Sequence, residues 1–223
     1  MSIRTRIKVC GMKSPDEVQS AIKLGVDAVG IILHANSPRL ATVEEAKHIR
    51  AVVPAFVTLV GVFVDADESL VSDYYNDIGL DLIQYHGCES PDMIEALNLP
   101  FVKAIRAQSR GQVEREAQAY PGAQAILLDP FVSGVHGGTG KVLSADLWPT
   151  QSLKQKLVLA GGLSPDNVGN RVGSLKPYAV DVNSGVELSP GRKSMEKLAN
   201  LVRQVGISDA ERNSVLADQQ PHV

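Results

Sequence analysis

Cysteine is scarce, with two in 223 residues. Two thiols cannot build a disulfide framework, and their number fits a reducing, cytoplasmic setting. Aromatic residues make up 4% of the chain, with a single tryptophan, too few for the stacking platforms of single-strand binders. No sign of charge dominates: 22 Lys and Arg stand against 25 Asp and Glu, for a net charge of −3. A nucleic-acid ligand needs a concentrated basic surface, so none is expected. Long apolar runs are missing too. The longest uncharged stretch, residues 51–64, is broken by Pro54, Thr58 and Gly61 and is too short to cross a bilayer as a helix. Residues 1–9 alternate charged and apolar side chains and contain no signal-peptide core. No membrane partner is expected. His34, His48, His136 and His222 show no metal-ligand spacing.

What remains is an ordinary globular mixture, 44% hydrophobic and 21% charged, long enough for one well-buried domain. Short β-branched runs recur at residues 7–10, 28–33, 58–64, 82–86, 101–105, 125–128, 157–160 and 179–182. They are mostly continuous apolar runs, as parallel strands covered by helices require. Helix starts lie between them: Ser14-Pro15-Asp16, the capping box Thr42-Val43-Glu44-Glu45, Ser90-Pro91-Asp92 and Ser164-Pro165-Asp166. Gly25, Gly79 and Gly206 read as helix or turn stops. Eight βα units predict a single (β/α)8 barrel with a closed, parallel, eight-stranded sheet over residues 1–206. An open doubly wound sheet is the alternative. Residues 207–223 read as a polar tail, disordered or partly helical.

Ligands of parallel α/β folds collect at the carboxyl ends of the strands. Those positions hold Cys10-Gly11, Ser37-Pro38-Arg39 beyond strand 2, His86-Gly87, and Asp129-Pro130. Three glycine-rich segments follow strands 6, 7 and 8: Gly137-Gly138-Thr139-Gly140, Gly161-Gly162 and Ser184-Gly185. Tight turns would explain one of them. Three in succession suggest main-chain amides gathered around a phosphate. None has P-loop spacing, so a small phosphate monoester suits them better than a nucleotide.

Together these segments, with Lys8-Val9-Cys10-Gly11, Val60–Val64, Leu128-Asp129 and Asp181–Glu187, resemble the phosphoribosylanthranilate isomerase family of tryptophan biosynthesis, in family order from about residue 6 to residue 203. Ile31-Ile32-Leu33, Tyr85 and Asn183 depart from the commonest pattern and touch packing or substrate fit. The resemblance implies a (β/α)8 barrel and an Amadori rearrangement of a phosphorylated sugar-anthranilate substrate. It requires neither metal nor organic cofactor, and the assembly would be a monomer or homodimer. It makes Cys10 the general base and Asp129 the general acid, on strands across the barrel from one another. Cys10 would profit from a lowered pKa and Asp129 from a raised one. A buried structural cysteine and a loop-capping aspartate are the alternatives. Arg39 would meet the anthranilate carboxylate, or be a solvated loop arginine; His86 would line the site, or bond only to backbone. Gly138, Thr139, Gly140, Gly161, Gly162, Ser184 and Gly185 would hold the phosphate. Cys88 carries no motif.

Strand alternation adds one expectation. If Cys10 points inward, so does Lys8, and a buried lysine needs a partner. Asp181 can supply it only if strand 8 closes on strand 1. Rival barrel functions fit less well. A histidine-pathway isomerase carries aspartate where Cys10 stands. Indole-glycerol-phosphate synthase works with Lys and Glu. Metal-dependent epimerases need paired His and acidic ligands. A non-catalytic phosphometabolite binder would keep the glycine loops without needing Cys10 or Asp129.

Overall fold

The computed structural model describes residues 3–130, 142–151 and 153–218. Eight parallel strands succeed one another around a closed ring: β1 (Arg6–Val9), β2 (Ala28–His34), β3 (Thr58–Phe63), β4 (Leu82–Tyr85), β5 (Phe101–Ala107), β6 (Ala125–Pro130), β7 (Lys156–Leu159) and β8 (Ala179–Val182). Closure is direct, because β1 pairs with both β2 and β8. In that last pairing Lys8 lies opposite Asp181.

Period-two alternation sorts each strand between two compartments. Ile7 and Val9 join the large core between sheet and helices. Inside the ring a smaller cluster of Val102, Ala104, Ala125, Leu127, Val158, Ala160 and Ala179 fills the barrel. At its carboxyl end Cys10, Ile32 and Val62 form a third cluster. Small side chains dominate where eight strands converge, which leaves room for inward polar groups.

The outer layer is α1 (Pro15–Lys23), α2 (Val43–Arg50), α3 (Glu68–Ile78), α4 (Pro91–Leu97), α5 (Arg110–Ala119), α6 (Val168–Leu175) and α7 (Met195–Asp218). Thr42 and Glu45 form the expected capping box, Ser90 accepts from the Met93 N–H, and Gly79 ends α3 in the left-handed conformation. α6 starts later than Ser164-Pro165 predicts: residues 165–167 form a turn, and Asn167 takes the cap position. Between β6 and β7 the described residues contain only a 3₁₀ turn, Ala145–Leu147.

The expected boundary at residue 206 falls inside α7, and Gly206 does not stop a helix. A lone glycine costs a helix only about 1 kcal/mol. Anchors further on offset it. Asp209 is buried and accepts from the Thr5 N–H at 2.5 Å and the Thr5 hydroxyl at 2.7 Å. Asn213 bonds both main-chain groups of Ile3, at 2.6 and 3.0 Å. Residues 207–218 are therefore helical and tied to the chain's beginning, and residues 219–223 lie outside the described part. No helix among the described residues is long and apolar enough to cross a membrane.

Candidate active site

The carboxyl mouth of the barrel holds a cavity of about 100 Å³. Cys10, Arg39, His86 and Asp129 all line it, as do Gly161, Gly162, Ser184 and Gly185. Gly138, Thr139 and Gly140 lie outside the described residues.

Cys10 continues β1 inward. Its N–H donates to Val182 O at 2.8 Å, extending the β1–β8 seam, and its side chain is buried. Two residues back, Lys8 Nζ donates to Asp181 Oδ1 at 2.8 Å. The pair that alternation predicted is therefore present, inside the barrel. Gly30 on β2 makes room for it: a Cβ there would stand 2.9 Å from Lys8 Nζ and 3.1 Å from Cys10 Sγ, so the ammonium and the sulfur share one small space. The Cys10 pKa lies above its ordinary value, not lowered as would profit a general base. Burial pushes it up, Lys8 pulls the other way, and Asp181 adds to the rise. Burial pulls Lys8 down, but Asp181 and Cys10 together outweigh it and leave the ammonium above its ordinary pKa.

Across the mouth, alternation on β4 carries Gln84 and then His86 inward. Gln84 Nε2 lies 3.0 Å from His86 Nδ1. With the amide donating to Nδ1, a neutral ring carries its proton on Nε2, which stands 3.4 Å from Asp129 Oδ2 without hydrogen-bond alignment. The loop carrying His86 is clamped from behind. Glu89, buried, accepts from the N–H groups of Asp65 and Gly87 and from Lys103 Nζ. Lys103 also donates to Gly87 O at 2.7 Å. Cys88 is exposed and contributes only its N–H, to Asp65.

Arg39 is not a solvated loop arginine. Its Nε and Nη2 donate to the two carboxylate oxygens of Glu187 at 2.8 and 2.7 Å, and its side chain is 12% exposed. Gly11, with φ +71°, makes the approach possible: a Cβ there would stand 2.9 Å from Arg39 Cδ and 3.0 Å from Asn183 Oδ1. Glu187 opens β9 (Glu187–Ser189), which pairs with β10 (Arg192–Lys193) just after β8. Burial pushes Glu187 up, but hydrogen bonds from Arg39 and Lys193 outweigh it and bring its pKa to about 2.

Sequence reasoning gave no role to Gln84, Glu187 or Lys193. Alternation two residues before His86 pointed to Gln84. Glu187 closes the Asp181–Glu187 segment, but its partner lies 148 residues away, beyond any local pattern.

The fold and site define a (β/α)8 barrel with a thiol, a carboxyl and the glycine loops after β7 and β8 facing one cavity at its carboxyl mouth. Residues 7–204 match the N-(5'-phosphoribosyl)anthranilate (PRA) isomerase family. An N-(5'-phosphoribosyl)anthranilate isomerase of Pseudomonas fluorescens (strain Pf0-1) is 40% identical over 200 residues, covering 90% of this chain and 98% of the relative. Phosphoribosyl anthranilate isomerase from Thermus thermophilus superposes with a TM-score of 0.80 at 33% identity, covering 91% of this chain and 99% of that one. A phosphoribosyl anthranilate isomerase in complex with reduced 1-(o-carboxyphenylamino)-1-deoxyribulose 5-phosphate superposes with a TM-score of 0.80 at 29% identity, covering 91% and 98%. The chain belongs to the phosphoribosylanthranilate isomerase family.

Proposed function

We propose that this chain isomerises N-(5-phosphoribosyl)anthranilate to 1-(2-carboxyphenylamino)-1-deoxyribulose 5-phosphate, an Amadori rearrangement in tryptophan biosynthesis. The observation that carries this reading is the convergence of Cys10, Asp129 and the β7 and β8 glycine loops on one cavity in a chain of this family.

Asp129 protonates the furanose ring oxygen, and the ring opens to a Schiff base as the anilino nitrogen supplies its electron pair. Cys10, as thiolate, removes the C2 proton, and the enolamine relaxes to the ketone by gaining a proton at C1 and losing one from the C2 hydroxyl. The ammonium of Lys8 favours the thiolate against burial. The amides of Gly161, Gly162 and Gly185 hold the phosphate together with Ser184 and the segment Gly138-Thr139-Gly140. Arg39 receives the anthranilate carboxylate. His86 lines the site beside Asp129.

Two unpaired cysteines support a cytoplasmic setting. The working assembly is a monomer or homodimer, which sedimentation equilibrium distinguishes.

The test is the loss of substrate fluorescence on adding the full chain to freshly made phosphoribosylanthranilate. Cys10→Ser and Asp129→Asn are each expected to lower kcat by about 10²- to 10⁴-fold while phosphate still binds. Full activity in both variants would sink the mechanism.

A further inference from the structure

Lys193 lies behind Arg39 and contributes nothing to the cavity wall. Its side chain is wholly enclosed. Its Nζ meets three acceptors: Glu187 Oε1 at 2.8 Å, Asn183 Oδ1 at 2.8 Å and Asn183 O at 3.3 Å. Three acceptors for three N–H groups are the surroundings of an ammonium. Burial draws its pKa down, and Glu187 opposes that.

The Arg39 guanidinium has two forks. Glu187 occupies the fork made by Nε and Nη2. The other, made by Nη1 and the second Nη2 hydrogen, matches a further carboxylate in shape. Shape alone is not enough. Arg39 and Glu187 by themselves sum to zero, and an incoming carboxylate would meet a neutral pair whose near acid repels it. Lys193 brings the sum of the three touching side chains to +1. Lys197 reaches only the Glu187 main-chain oxygen and is solvent-exposed, so its charge is screened. Lys193 also fixes a neighbour. By taking Asn183 Oδ1 it leaves the amide's N–H groups as the part of Asn183 available to the cavity that this residue lines beside Arg39.

We infer that Lys193 is a positioning residue that never touches substrate: its charge cancels Glu187 and leaves the open fork of Arg39 a net cationic receiver for the aromatic carboxylate. The inference rests on the reading of Arg39 as that carboxylate's partner.

The test uses the full chain with Lys193→Met, Glu187→Gln, the double variant and Arg39→Met. KM and kcat are measured with phosphoribosylanthranilate. Kd is measured by calorimetry with reduced 1-(o-carboxyphenylamino)-1-deoxyribulose 5-phosphate and with its counterpart lacking the carboxyl group. Lys193→Met is expected to raise KM about tenfold and to weaken only the carboxylated ligand. The double variant returns the sum to +1 and is expected to restore Kd to within about threefold of wild type. An unchanged KM in Lys193→Met overturns the inference. So does a double variant as impaired as the single one, or an equal loss toward both ligands, since each marks a packing role. The double variant leaves Arg39 as the single charge of the three, at the cavity wall, and serves if Lys193→Met fails to fold; a loss beyond that threefold then overturns the inference. If Arg39→Met binds the carboxylated ligand as well as wild type, the reading of Arg39 fails and this inference fails with it. If Arg39→Met weakens binding and Lys193→Met does not, only the role of Lys193 is lost.

Discussion

Cys10 and Glu187 show how neighbouring residues can be driven in opposite directions by similar burial. Both are enclosed, but the thiol rises while the carboxylate is held at about 2 by its cations. For Cys10, kcat/KM is expected to rise with pH through the alkaline range as the thiol ionises. A pH profile whose limb disappears in Cys10→Asp would identify the sulfur as its source. For Glu187 the sign comes from linkage. A carboxylate depressed in the fold adds stability above its unfolded pKa of about 4.3, and that stability is lost as pH falls toward 2. Denaturant titrations between pH 5 and pH 2 should show a shallower loss in Glu187→Gln than in wild type; equal slopes would refute the coupling. At this scale much was legible. Cys10, Asp129 and the Lys8–Asp181 pair can be read from strand ends and a two-residue period. The Arg39–Glu187–Lys193 triad cannot, because two loops far apart in sequence meet there and neither carries a period that names its partner.

Strands were easier to read than helix ends. All eight apolar runs became strands, because side chains enclosed on both faces of a sheet leave an unmistakable composition. Helix termini depend on weaker local terms that tertiary contacts override. Ser164-Pro165 made a turn before α6, and α7 runs through Gly206 because Asp209 fastens its next turn to Thr5. Asp209→Ala would leave the Thr5 N–H and hydroxyl without that acceptor in a buried place. A loss of about 2 kcal/mol in unfolding free energy is expected, with kcat unchanged, since the anchor sits away from the carboxyl mouth. Urea denaturation alongside the activity assay checks both halves, and a wild-type midpoint would show that α7 is held by other contacts. The Glu89–Lys103 clamp behind His86 belongs to the same scale: outward residues of strand and loop set the position of an inward one.

Taken whole, the barrel divides its labour between its ends. The carboxyl mouth gathers Cys10, Arg39, His86 and Asp129 around a small cavity. The opposite mouth opens a larger one, of about 340 Å³, walled by Val60, Leu82, Val102, Leu127 and Val158, by the small residues Ala125 and Ala179, and by the charged Arg6, Lys8, Asp27 and Lys156. None of the proposed acid, base or phosphate groups lines it. Ala125→Val should therefore fill space at the stability end: about two further buried methylene equivalents are worth about 1.5 kcal/mol, or roughly 3–6 °C in Tm, with kcat/KM unaltered. A thermal melt and an assay on one preparation decide it, and a fall in Tm would mean the wall has no slack.

The hold of Asn213 on Ile3 has a consequence for how the molecule could be rewired. Ile3 and Asn213, 210 residues apart, are already clasped. A circular permutant that joins the end of α7 to β1 with a flexible linker and opens anew between Ala55 and Phe56, both on an exposed loop, should wind the same ring of strands from a different starting point.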